Sequence, residues 1–335
     1  MNARTALRSA RLDFAQRIRC QPPAAPLGAG FNRPPTAPAC GAARGHVGSP
    51  GGHQGAGDAS PSSRYPRQTA LLGQEGQLRL AAASVVLVGL GALGSHLAQQ
   101  LAYLGVRRYT LLDGGKVGTS SLSRLIGSTG DDVGVPRTHV AARLIRSIQP
   151  GADVHVVAGS LPESLLDAGA AVGAAAAVIA SPSKDSVRFI LTELCSIAGT
   201  PYVDVATGIR RLGDDVVYGG RVVVAGPAAG CLFCRGELDR RKDASPADTH
   251  NPRAGVGAGP TALRCIGASF TINAVVASLA ATETACLISG LRAPCGMLTY
   301  RAHVGIVTRA GDVPARHCPY CARWASRRQT ISDDG

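Results

Sequence analysis

The stretch VVLVGLGALGSHL, residues 85–97, constrains the fold more than any other. Val85–Val88 is a short apolar run, and Gly89, Gly91 and Gly94 follow in the spacing G-x-G-x-x-G before an apolar-periodic segment. A strand that turns through glycines into a helix presents backbone N–H groups and a positive helix end to a phosphate. Asp113 closes the next strand about 20 residues on, where a carboxylate can hold ribose hydroxyls. The residues alone leave two owners for that ribose, a dinucleotide or ATP.

The rest of the chain carries the same architecture forward. Ser84–Leu90 reads as a strand, Ala92–Leu104 as a helix and Tyr109–Asp113 as a strand. Residues 136–148 follow as a helix, Asp153–Ala158 and Ala176–Ala180 as strands, Asp185–Ala198 as a helix and Tyr202–Ala206 as a strand. Strands separated by helices of this length predict an α/β fold with a doubly wound, mostly parallel, Rossmann-like sheet. Beyond residue 210 the pattern changes. Val216–Ala225 reads as a longer antiparallel strand, about 268–290 as a small-residue helix and 297–309 as one strand. That makes an antiparallel C-terminal extension.

Cysteine spacing adds a second constraint. Of ten cysteines, four form two pairs, Cys231-x-x-Cys234 and Cys318-x-x-Cys321, 84 residues apart (318 minus 234). Four thiolates so spaced predict a closed, tetrahedral structural zinc in a reducing, cytoplasmic compartment. Cys20, Cys40, Cys195, Cys286 and Cys295 have no partner at motif spacing.

The net charge of +13 does not point to nucleic acid, because the arginines are scattered in nothing longer than pairs such as Arg210-Arg211. No run of roughly 18 apolar residues predicts a membrane span. Residues 1–63 are rich in Pro, Gly, Ala and Arg, with seven arginines against Asp13 and Asp58. This segment is expected to be a disordered extension, a tail rather than a transit peptide, and residues 326–335 a short tail.

Together these motifs resemble the ThiF/MoeB family of adenylating enzymes, related to the ubiquitin-activating enzymes. The resemblance covers about 64–325. It runs through RYPRQ (64–68), LVGLGALG, LLD (111–113), TSSLSR (119–124), DDVGVPR (131–137), GCLFC and HCPYC, and closes with FTINAVVASLAATETACLISG (270–290). It implies ATP-dependent adenylation of the C-terminal carboxylate of a small sulfur-carrier or ubiquitin-like protein, or of a biosynthetic peptide. The alternative is a degenerate, non-catalytic scaffold that binds a peptide or partner enzyme. By match, Gly89, Gly91 and Gly94 floor the nucleotide, Asp113 holds the ribose, and Ser121 and Arg124 lie near the phosphates. Arg137 occupies the place of the family's lysine. Arg67 would reach into the site of a second copy in a homodimer, and Cys265 lies where some members carry a reactive thiol.

The chain departs from the family pattern at four places. Gly115 stands where a second aspartate follows the first, Ser121 replaces asparagine, Arg137 replaces lysine, and Ser183 occupies the magnesium-binding aspartate's position. A hydroxyl is a poor ligand for a hard cation. Asp204, at the end of YVDVA, is therefore expected to take over that role, with Asp185 turned into its helix.

Overall fold

The structure, a computed structural model, describes residues 64–157, 159–212, 215–226, 230–238, 269–310 and 318–324. The expectations for 1–63, for 326–335 and for Cys265 lie outside the described residues.

Eight strands form one sheet. In chain order the elements are α1 (Pro66–Ala82), β1 (Ser84–Val88), α2 (Ala92–Tyr103), β2 (Arg108–Leu112), α3 (Arg137–Ile148), β3 (Asp153–Val157), α4 (Leu165–Ala174) and β4 (Ala177–Ala180). There follow α5 (Asp185–Ala198), β5 (Tyr202–Leu212), β6 (Asp215–Ala225), α6 (Phe270–Ser289), β7 (Met297–Arg301) and β8 (Ile306–Ala310). The strand order is β3-β2-β1-β4-β5-β6-β7-β8. The pairs from β3 to β5 are parallel, and those from β5 to β8 are antiparallel.

The central strands are buried on both faces, so SVVLV and AVIA are nearly continuous apolar runs. Val85 and Leu87 face one core with α1, α2, α3 and α6. Val86 and Val88 face the other, with α4, α5, the cysteine pairs and Trp324. Helix α6 is, among the described residues, the one helix long and apolar enough to cross a membrane, yet 61% of its window is buried. Its Val276, Ala277 and Ala280 pack into the first core, so it serves as an inner helix.

The RYPRQ motif ties the segment leading into α1 to the C-terminal ends of α2 and α3. Arg64 donates to the carbonyl of Ile148, buried Tyr65 accepts from Gln149, and Gln68 donates to the carbonyl of Tyr103 at 2.9 Å.

Two expectations change, and two helices stand where the sequence pattern predicted none. Residues 297–309 are two strands, because the chain reverses through Ala302–Val304 and Gly305, whose φ is +68°. The strand from Tyr202 runs on to Leu212, paired along its whole length with β6. Helices α1 and α4 carry no clear apolar period. Helix α1 is broken in φ/ψ at Gly73, and α4 is the small-residue run LLDAGAAVGA.

Candidate nucleotide site and cysteine cluster

Strands β1 and β4 are neighbours, but the chain winds one way from β1 to β3 and the other way from β4. Ligands of doubly wound sheets bind at the carboxyl end of such a switch point, and the glycine turn stands there. Gly89 has a φ of +82° and donates its N–H to the carbonyl of Leu112 at 2.9 Å. A Cβ there would lie 2.7 Å from the backbone oxygen of Ser181, just past β4. A Cβ on Gly94 would lie 1.9 Å from the oxygen of Gly89. The turn and the first turn of α2 therefore pack backbone to backbone, and Gly91 caps the helix in an extended conformation. This leaves a helix N-terminus open to an anion.

Asp113 sits beside this turn, with its side chain 9% exposed. Its Oδ2 accepts the N–H of Leu90 and its Oδ1 the N–H of Gly115, both at 2.6 Å. A carboxylate oxygen can accept more than one hydrogen bond, so each retains capacity for a ribose hydroxyl. Arg137, the first residue of α3, donates through Nε to the carbonyl of Lys116 at 3.1 Å. It brings a guanidinium nitrogen to 3.8 Å from Asp113. Ser121 is buried in a short turn (Thr119–Ser121). Arg124 is half-buried and donates to the carbonyl of Ser120 at 2.9 Å. Arg67 is exposed near the start of α1 and forms no ion pair among the described residues. The structure thus gathers Gly89, Gly91, Gly94, Asp113 and Arg137 at one sheet edge and leaves Arg67 on its own surface.

Asp204 is not placed to hold magnesium. It is 0% exposed. Its Oδ1 accepts from Arg188 Nε at 2.9 Å and from the Tyr202 hydroxyl at 2.8 Å, and its Oδ2 accepts from Arg221 at 2.6 Å. Arg221 in turn pairs with Glu237 at 2.6 Å. Two guanidiniums and a phenol occupy the carboxylate, which makes it the anion of a buried ion-pair network. Ser183, by contrast, is exposed. Two residues on, Asp185 is half exposed; its Oδ1 pairs with Arg188 at 2.9 Å. Oδ2 has no partner among the described residues, so a carboxylate oxygen suited to a hard cation does exist here. Sequence reasoning missed Arg188, Tyr202, Arg221 and Glu237, which share no motif: β5 and its pairing with β6 bring Tyr202 and Arg221 to Asp204, α5 brings Arg188, and the segment after β6 brings Glu237.

The cysteine cluster fits its expectation. The sulfurs of Cys231, Cys234, Cys318 and Cys321 all lie within 4.8 Å of one another. Contacts of 3.6, 3.4 and 3.5 Å join 231 to 234, 231 to 318 and 234 to 321. A tetrahedral zinc with Zn–S bonds of about 2.3 Å would set the sulfurs about 3.8 Å apart. Hydrogen bonding from Cys321, helped by the Cys234 N–H, lowers the Cys231 thiol to about 5. The same contact raises the Cys321 thiol, and burial raises that of Cys318, so one of the four sulfurs carries the negative charge ahead of the others. Aromatic rings surround the cluster: Phe233 stacks on Tyr320 at 4.7 Å and tilts against Phe189 at 4.9 Å. Trp324, fully buried, donates to the carbonyl of Thr200 at 3.2 Å.

Residues 65–317 match the ThiF family. The chain belongs to that family. Among its relatives, the SAMP-activating enzyme E1 of Haloferax volcanii is 32% identical over 178 residues, 52% of this chain and 63% of that protein. The bovine (Bos taurus) adenylyltransferase and sulfurtransferase MOCS3 is 36% identical over 178 residues, 51% of this chain and 37% of that one. The chain thus spans less than two thirds of the length of either. Among solved structures, E. coli MccB with AMPCPP and MccA superposes with a TM-score of 0.59 at 18% identity, over 79% of this chain and 75% of that one.

Proposed function

We propose that this chain adenylates the C-terminal carboxylate of a small sulfur-carrier or ubiquitin-like protein, or of a peptide. The carboxylate oxygen would attack the α-phosphorus of ATP, and pyrophosphate would leave as the acyl-adenylate forms. The observation that carries this reading is the glycine turn, wedged against Ser181, beside an Asp113 whose two oxygens are oriented by backbone N–H groups. Family membership and the names of the relatives favour ATP over a nicotinamide dinucleotide. They give no support to the non-catalytic scaffold.

The residues divide the work. Backbone N–H groups at the start of α2 bind phosphate, and Asp113 accepts the ribose hydroxyls. Arg137 offsets phosphate charge, as does Arg124 once its side chain leaves the Ser120 carbonyl. Magnesium, when bound with ATP, neutralises the phosphates; Asp185 is the residue to hold it. Arg67 would serve the site of the second copy in a homodimer. Zinc, held by the four cysteines, would be structural, since four thiolates leave no open position. Seven free cysteines among the described residues suit a reducing compartment, the cytoplasm in this reading. The reading ends at the adenylate and gives Cys265 no step.

ATP–pyrophosphate exchange, with candidate carrier proteins and short peptides as acceptors, tests it. Acceptor-dependent exchange is expected, together with calorimetric binding of ATP and none of NAD. Binding of NAD in preference to ATP would overturn the proposal.

A further inference from the structure

Gly115 and Arg137 are both departures from the family pattern, and in the structure they touch. A Cβ built on Gly115 would lie 2.9 Å from Asp113 Oδ1, 3.0 Å from a terminal nitrogen of Arg137 and 3.1 Å from its guanidinium carbon. The guanidinium therefore fills the space that any side chain at 115 would need. The backbone of Gly115 engages the same two residues: its N–H goes to Asp113 Oδ1 at 2.6 Å, and its carbonyl accepts the N–H of Arg137 at 3.0 Å. Gly115 is not among the glycines with positive φ. Its backbone is open to any residue, so what the site uses is the missing side chain.

We propose that Gly115 is a positioning residue for the nucleotide. By having no side chain it lets the guanidinium of Arg137 lie against Asp113, and so sets how charge and hydrogen-bond acceptors face the phosphates and ribose of ATP. The inference rests on the adenylation reading. The atoms a methyl group would strike are the ends of two side chains, not backbone. A substitution should therefore displace the Arg137–Asp113 pair and leave the fold alone. A lysine at 137 has a slimmer head and no planar fork, and would clear the added methyl.

The test is a double-mutant cycle on ATP affinity, measured by calorimetry on the full chain. Gly115→Ala should weaken ATP binding about tenfold, within the range of coupling between contacting residues, with an unchanged melting temperature. Arg137→Lys should weaken it less. In the double variant the alanine should add at most about a twofold loss. Parent-like binding by Gly115→Ala, or losses that multiply in the double variant, would overturn the inference while leaving adenylation intact. A parent that binds no ATP would overturn the adenylation reading and this inference with it. If Gly115→Ala alone does not fold, folding of the double variant would support the crowding, and its misfolding would refute it.

Discussion

Replacing Asp204 by asparagine separates a structural anion from a metal ligand. The carboxylate is 0% exposed and bonded to Arg188, Arg221 and Tyr202. Burial works against the charge of Arg188, and its neighbours, Asp204 foremost, more than offset this. Removing one partner of a buried ion pair costs about 3–5 kcal/mol, because a charge is left uncompensated. Asparagine keeps the shape, and the guanidiniums keep Asp185 and Glu237, so the lower end, about 3 kcal/mol, applies. At roughly 2–4 °C per kcal/mol for a chain of this size, Asp204→Asn should melt about 6–12 °C earlier. Thermal unfolding by circular dichroism reads this shift. ATP titrations with magnesium and with EDTA, done below the transition, should show the same magnesium dependence as the parent. A variant with the parent's melting temperature and an altered magnesium requirement would refute the network and restore Asp204 as a ligand.

Two further outcomes follow from the same geometry. Protein prepared without chelator should contain about one zinc per chain by elemental analysis, lost in Cys231→Ser or Cys318→Ser, with unfolding of the α5 side of the core, because closed thiolate sites contribute folding energy directly. Asp132 is held at about 2 by hydrogen bonds from Arg143 and from the backbone of Thr129. A depressed folded pKa stabilises above the unfolded value and loses that contribution as pH falls through the folded one. Melting temperature should thus drop between about pH 4 and 2, and Asp132→Asn should flatten that limb.

What the sequence made legible is what local rules encode. The glycine spacing, the β1 and β4 runs and the cysteine pairs each need particular residues at particular offsets, and each stands where expected. The 297–309 hairpin was hidden because Gly305 reverses a run whose two halves are both strand formers. Helix α1 was hidden because Leu71 and Leu78 are exposed, which spoils its apolar period. The assignment of Asp204 failed for a different reason. A carboxylate at a strand end in a doubly wound sheet points toward the ligand edge, but β5 runs on past Asp204 to Leu212, and the neighbours of Asp204 across β6 are fixed by register. Asp204 pairs with Val223 and so lies one pleat from Arg221. Nothing in YVDVA announces that arginine.

The sulfur cluster also imposes an order of events during synthesis. Cys231 and Cys318 are 87 residues apart, and Trp324, fully buried beside α5, comes later still. At ribosomal speeds of about 5–20 residues per second, the first cysteine pair waits roughly 4–17 s for the second. Through that interval Leu191, Leu194 and Tyr202 have no cover from the Cys318–Trp324 segment that completes their core. The nascent chain thus exposes a thiol pair and an apolar face together until the second cysteine pair emerges.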